Sequence, residues 1–372
     1  MFFSSQSDSK TIAFGNRLFE RVSRLASNNS YENFAPQVDD PSQFSVSNPF
    51  VCAYLEARSG RQLTETSVAT YENHLGQYLL FLNNRDVHLL DAELTDVIEF
   101  VEHCVDRDNR QSTIEGKLVA IRELYGYIRL RTDAADVLTI DPIKLDDIDL
   151  AEYNTPEKIK RESLTRSELR KLFDAMDSYR NRLLVIVATE TGLRNSDLRN
   201  LRVEDIDFNK REIHVRNPKN QTPYDVPISD ELAVELKIWC ERYLDGYGHS
   251  GQGENKYVFP SQHGKKLESN SSLNNIVTEA AERAGIQEVI GTSEVPVDQS
   301  KQYDGKTTTR EWHRVTVHAL RHTCFTLMKQ DGVPLPYRQL IANHQDPRTT
   351  QHYSHGQEEE FEHVRERFNV PR

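Results

Sequence analysis

His318-Ala319-Leu320-Arg321-His322 sets a histidine and an arginine three residues apart, one turn of a helix. Upstream, Thr191-Gly192-Leu193-Arg194-Asn195-Ser196-Asp197-Leu198 supplies a second arginine, and Tyr353 lies well downstream. A guanidinium fork is planar, charged at any working pH and matched to two oxygens of a phosphodiester. Two such forks can neutralise the charge that builds on a pentacoordinate phosphorus, a task that many nucleases give to carboxylate-bound Mg²⁺. A tyrosine can attack that phosphorus and hold it covalently. No cluster of carboxylates, histidines or cysteines has convincing metal-ligand spacing. The side chains therefore point to breaking and rejoining DNA, with no metal or other cofactor expected.

The rest of the chain bounds this reading. At 372 residues it is too long for one average domain, and two are expected. A hydrophobic fraction of 37% with 9% aromatics supports globular cores rather than wholesale disorder. No apolar run approaches the ~18 residues of a membrane span, and Met1 to Lys10 lacks the basic-then-apolar pattern of a signal peptide. The expected location is the cytoplasm. Cys52, Cys104, Cys240 and Cys324 are far apart and form no CxxC pair, which fits free thiols in a reducing interior.

A net charge of -12 runs against the usual basic character of nucleic-acid enzymes. The cations comprise 15 lysines and 31 arginines. Few lysines, many arginines and a large acidic excess resemble proteins of extreme halophiles, whose acidic, hydrated surfaces keep them soluble. A salt-adapted, archaeal protein encoded by a virus or plasmid is the expectation. Mean charge speaks to solubility and association, not to fold.

Residues 1–45 read as an extension, with one possible helix near Thr11 to Ala26. Tyr71, Leu75, Tyr78, Leu79 and Leu82 then fall on one helical face. Thr95 is placed to cap a helix carrying Val97, Phe100 and Val101, and Ile114, Leu118, Ile121, Tyr125 and Ile128 mark another. Residues 46–140 thus predict a small all-helical domain. The Pro- and acid-rich stretch 141–160, with Asp146-Asp147-Ile148-Asp149, suits a solvated linker. A second domain, 161–372, opens with the capping box Thr165-Arg166-Ser167-Glu168. Alternation at Glu212 to Val215 and Tyr224 to Ile228, with turns at Asn209-Lys210 and Asn217 to Gln221, predicts a three-stranded antiparallel sheet. Helices are expected over Leu232 to Tyr243, capped by Ser229, and Ser271 to Ala284, ended by Gly285. Residues 287–312 read as an insertion or an extra strand. Three short helices are expected from His318, broken at Pro334-Leu335-Pro336 and Asp346-Pro347, then an amphipathic tail helix, Gln357 to Phe368. The fold class is mainly α with a small antiparallel sheet.

These segments, with Asn343-His344 preceding Tyr353, resemble the boxes of the tyrosine recombinase (phage integrase) family. His344 follows Arg321 by 23 residues and Tyr353 follows His344 by nine, spacings that fit the family pattern. The helical domain more weakly resembles the family's core-binding domain. What the resemblance implies is a site-specific DNA recombinase that clamps DNA between its two domains. Arg194 and Arg321 would bind the scissile phosphate, with His318 and His344 hydrogen-bonding it and His318 helping to deprotonate the nucleophile. Tyr353 would be that nucleophile, Lys219 the general acid and Asp197 an orienting group. Lys210, in the earlier turn, competes with Lys219. Double-stranded recombination sites are the implied partner, with a homotetramer in the synapse and a monomer or weak oligomer when free. A type IB topoisomerase-like relaxing enzyme shares this residue set, and a catalytically silent DNA-binding regulator shares the fold. Two departures stand out: Asp197 replaces the more usual glutamate, and Ala342-Asn343-His344 stands for Leu-Gly-His, so the start of that helix is expected to shift.

Overall fold

The computed structural model describes residues 31, 34–157, 162–216, 222–246, 257–296, 307–343, 357–368, 370 and 371. Lys219, His344 and Tyr353, the expected helix at Thr11 to Ala26 and the helix expected after Pro347 lie outside them. The chain divides after Lys158 into two compact units, with Glu294–Thr308 grouping with the first.

The first unit is built on four helices, α1 (Pro49–Arg58), α2 (Glu65–Asn83), α3 (Leu94–Asp106) and α4 (Gln111–Arg131). Asn48 caps α1 by accepting from the amides of Phe50 and Val51, and Pro49 stands at its first turn, where no amide is missed. The α2 and α4 faces foreseen from periodicity meet inside: Leu75, Tyr78, Leu82, Ile114, Ile121, Tyr125 and Ile128 are buried in one core. Thr95 does not cap α3. The helix starts two residues earlier because Asp96 reaches back to the Glu93 amide at 2.9 Å, leaving Thr95 inside the first turn.

The stretch read as a solvated linker is, as far as Tyr153, part of this core. Its acids cap short 3-10 turns: Asp141 accepts from the Ile143 amide and Asp149 from the Ala151 amide. Between them Leu145 and Leu150 turn inward and are buried. The acidic run hides an apolar spacing that composition alone does not reveal.

The second unit is organised around α6 (Tyr179–Thr191), whose residues Leu183 to Ala188 are all buried. Before it runs α5 (Arg166–Asp174), begun by the expected capping box with Thr165 and Glu168 bonded reciprocally at 3.2 and 2.8 Å. After it come α7 (Asn195–Asn200) and an antiparallel sheet in the order β1 (Ile206–Asp207), β2 (Glu212–Val215), β3 (Tyr224–Pro227). Its register pairs Ile213 with Val226 and Val215 with Tyr224. Ser229 caps α8 (Asp230–Ile238), which runs on through a π-turn at Trp239–Tyr243, and α9 (Asn270–Arg283) ends at left-handed Gly285. The unassigned stretch resolves as paired strands β4 (Val289–Pro296) and β5 (Thr307–His313). Then follow α10 (Val317–Gln330), packed on α6, and α11 (Leu335–Ala342). The tail helix α12 (Gln357–Arg367) packs on β3 and α11 of its own unit, where Val364, Phe368 and Val370 join the core and Phe361 is buried. Among the described residues no helix is long and apolar enough to cross a membrane.

Candidate active site

Gly192 explains the Thr-Gly-Leu-Arg segment physically. It ends α6 in the left-handed region at φ +62°, where a side chain is strained. A Cβ there would also lie 3.0 Å from the Phe325 ring and 3.2 Å from Cys324 Sγ. The tight turn buries Leu193 and delivers Arg194 to the N-cap of α7.

Arg321 reaches the same place from α10. Its guanidinium donates to the Gly192 carbonyl, and a second nitrogen donates to the Ala342 carbonyl at 2.8 Å. Arg194 Nη2 approaches that same Ala342 carbonyl at 3.5 Å. Two cations separated by 127 residues in sequence thus converge on the end of α11. Arg321 is only 7% exposed, and its guanidinium sits over the Phe325 ring at 5.1 Å. Burial and the charge of Arg194 pull its pKa down from the ordinary arginine value, with Tyr224 among the groups opposing the shift.

The helix start that the Ala342-Asn343 departure was expected to shift lies outside the described residues. Asn343 does not begin a helix; it ends one, at φ 45°. A left-handed cap usually wants glycine, and asparagine is the side chain that next best tolerates it. Asn343 Nδ2 also donates to the Thr222 carbonyl at 3.4 Å, tying the end of α11 to the approach to β3.

Asp197 stands in the first turn of α7 and is 6% exposed. One carboxylate oxygen accepts from Ser196 Oγ at 3.2 Å. Burial pushes its pKa up, and Arg194 is the largest charge pulling it back. His318, by contrast, is exposed at the start of α10. It lines a groove of about 910 Å³ together with Arg194 and Arg321; Asn274 and Asn275 of α9 and Trp312 of β5 form other parts of the wall. The structure therefore gathers Arg194, Asp197, His318 and Arg321, while Lys219, His344 and Tyr353 fall outside the described residues. Lys210 is described and lies in the turn before β2, where its carbonyl accepts from Arg365 at 2.7 Å.

Residues 162–360 match the phage integrase family, and residues 52–132 match the phage integrase N-terminal SAM-like domain. The chain belongs to the phage integrase family. A tyrosine recombinase of Pseudothermotoga lettingae is 26% identical to it over 301 residues, covering 79% of this chain and 89% of that one. Tyrosine recombinase XerA of Pyrococcus furiosus is 29% identical over 212 residues, 56% of this chain and 62% of the relative. Among solved structures, the Tn1549 transposon integrase in complex with transposon right-end DNA superposes with a TM-score of 0.59 at 16% identity, covering 79% of this chain and 91% of that one. XerH bound to its difH substrate gives 0.53 at 19%, with 86% and 84% covered. These likenesses carry the fold, and the family match carries the class: a tyrosine recombinase, a DNA strand-transferase that acts as a site-specific recombinase.

One residue of this recombinase's site went unnoticed in the sequence. The strand alternation carries Tyr224 only as a sheet residue, yet its hydroxyl interacts with Asp197, Arg194 and Arg321. The signal was faint: period-2 alternation puts Tyr224 on the same face as core residue Val226, at the site end of β3.

Proposed function

We propose that this recombinase cleaves and rejoins DNA through a covalent bond from Tyr353 to phosphorus. Arg194 and Arg321 grip the two non-bridging oxygens of the scissile phosphate. The Tyr353 oxygen attacks phosphorus while its proton passes to a nearby base, a role suited to His318. The bond from phosphorus to the 5′ oxygen breaks, Lys219 protonates that oxygen, and a 3′-phosphotyrosyl enzyme remains. His344 adds a hydrogen bond to the phosphate, and Asp197 orients Arg194. The phosphotyrosyl bond keeps the energy of the broken diester, so a second 5′ hydroxyl can reverse the step without ATP.

The observation that supports this most is the convergence of the two guanidinium groups on Ala342, just before His344 in the chain. Arg194 Nη1 is buried there with no hydrogen-bond partner among the described residues. A buried cationic donor left open costs free energy unless a ligand closes it, and a phosphate oxygen is its natural acceptor. Double-stranded recombination sites are the partner, contacted by the helical domain, 46–140, and the catalytic domain, 161–372. Four protomers assemble two such sites, and the free protein is a monomer or weak oligomer in the cytoplasm.

The test uses nicked suicide duplexes drawn from a random-sequence pool, whose cleavage traps the covalent adduct. Tyr353→Phe is expected to abolish the adduct while DNA retention in a gel persists; an adduct that survives sinks the assignment. The acidic, arginine-rich composition supports a salt-adapted, archaeal origin on a virus or plasmid. On that reading, log affinity for DNA falls with log salt less steeply than the slope of about -0.9 per contacted phosphate shown by ordinary basic binders. Titration from low to molar KCl checks it, and a full slope contradicts salt adaptation.

A further inference from the structure

Three buried polar atoms of one cluster make no well-formed hydrogen bond among the described residues: Arg194 Nη1, Asp197 Oδ2 and the Tyr224 hydroxyl, the last with the Arg321 guanidinium near enough to donate to it. The first is a donor, the second an acceptor, and the third can be both. An incoming phosphate supplies an acceptor for Arg194 and leaves the other two. They complement each other: Tyr224 has a proton to give and Asp197 a lone pair to receive it.

The backbone places Tyr224 for this. Its strand is registered by the Val215 pairing, and the chain just before it is held to the end of α11 by the Asn343-to-Thr222 bond. That helix end is where both arginines converge. The ring packs against the hydrophobic core, so the hydroxyl is the part that reaches the charged cluster. Burial, with the Asp197 carboxylate adding to it, pushes the phenol up to about 12 against the pull of Arg194 and Arg321. The hydroxyl keeps its proton throughout the neutral range.

Building on the phosphate site assigned above, we infer that Tyr224 is a positioning residue whose hydroxyl accepts from Arg321 and donates to Asp197, coupling the two arginines when DNA binds. The chain of contacts runs Arg321, Tyr224, Asp197, Arg194. Only a group that both accepts and donates can bridge a guanidinium to a carboxylate, which neither phenylalanine nor a second arginine can do. Neither residue of the bridge need touch the phosphate. Their effect is to hold two forks at the spacing of its two oxygens, and a small misplacement of such groups is costly in rate.

The experiment measures single-turnover adduct formation and DNA affinity on one suicide duplex captured from the random pool. The proteins are the wild type, Tyr224→Phe, Asp197→Asn and the double variant. Tyr224→Phe keeps the packed ring, and its melting temperature confirms an intact fold. The expected result is a cleavage rate about tenfold lower with unchanged affinity, and a double variant no slower than Asp197→Asn alone. Wild-type cleavage by Tyr224→Phe overturns the inference. So does a double variant whose two losses multiply, since Tyr224 then acts independently of Asp197, for example on the phosphate itself. A wild-type protein that forms no adduct on any duplex removes the phosphate site, and this inference with it. That outcome is distinct from a wild type that cleaves while Tyr224→Phe is unaffected.

Discussion

Tyr78, Tyr125 and Lys117 of the helical unit differ from Tyr224 and Arg194 of the catalytic unit, although each unit also holds a buried arginine nitrogen that makes no well-formed hydrogen bond among the described residues, Arg85 Nε in the first and Arg180 Nε in the second. In the helical unit Tyr78 and Tyr125 bond each other through their hydroxyls at 2.9 Å, and Tyr125 also donates to the Leu89 carbonyl. Lys117, only 4% exposed, donates to Asn109 Oδ1 at 2.6 Å and to Cys104 Sγ at 3.3 Å. In the catalytic unit Tyr224 and Arg194 have buried polar atoms that make no well-formed hydrogen bond among the described residues. Burial of a polar group thus does not by itself mark function. A buried tyrosine whose hydroxyl is paired at home serves the fold, and one with no well-formed bond beside an arginine in the same state is poised for something that arrives. Unsatisfied groups are tolerated where a ligand repays them.

Breaking each side of this contrast should separate chemistry from stability. The largest effect is expected for Arg194→Ala. Losing one preorganised charge donor should lower the cleavage rate by on the order of 10² to 10³. Among the described residues that side chain makes one long hydrogen bond, at 3.5 Å, so the unfolding free energy should move by about 1 kcal/mol or less. Adduct kinetics beside urea unfolding measure both, and a large loss of stability would erase the distinction. Ile121→Ala in the helical core should do the reverse, costing about 2–5 kcal/mol of stability. The adduct rate per folded molecule should stay as in the wild type. Gly192→Ala sits between the two, with a stability loss of about 1 kcal/mol or somewhat more from the left-handed backbone. It should also slow cleavage, because the carbonyl that receives Arg321 shifts. Equal melting curves for Gly192→Ala and the wild type would mean the turn has room that its neighbours do not show.

Local signals in the chain were dependable where a short-range rule decides the outcome. The Thr165 and Glu168 capping box, the α2 and α4 faces, the β2 and β3 alternation and the Gly285 stop all rest on residues within a turn or two of one another. They failed where a competitor a few residues away won. Asp96 took the start of α3 from Thr95, and the leucines at 145 and 150 drew an acidic stretch into the core. The tail illustrates a longer range. Its amphipathic pattern announced a helix, but not that Val364 and Phe368 would join the core of the second unit.

The amino-acid sequence alone determined the family, the fold class and the order of the residues expected to act, because these depend on side-chain type, spacing and local periodicity. It also marked Arg194 and Arg321 as a pair. Only the tertiary structure decided that they meet at the Ala342 carbonyl, that Asn343 ends a helix there, and that the Tyr224 hydroxyl comes within reach of both. The physical reason is that hydrogen-bond satisfaction is a property of what folding brings together. Arg194 and Tyr224 are 30 residues apart and Tyr224 and Arg321 a further 97, distances over which no local pattern says which donors and acceptors will meet and which will be left for the DNA.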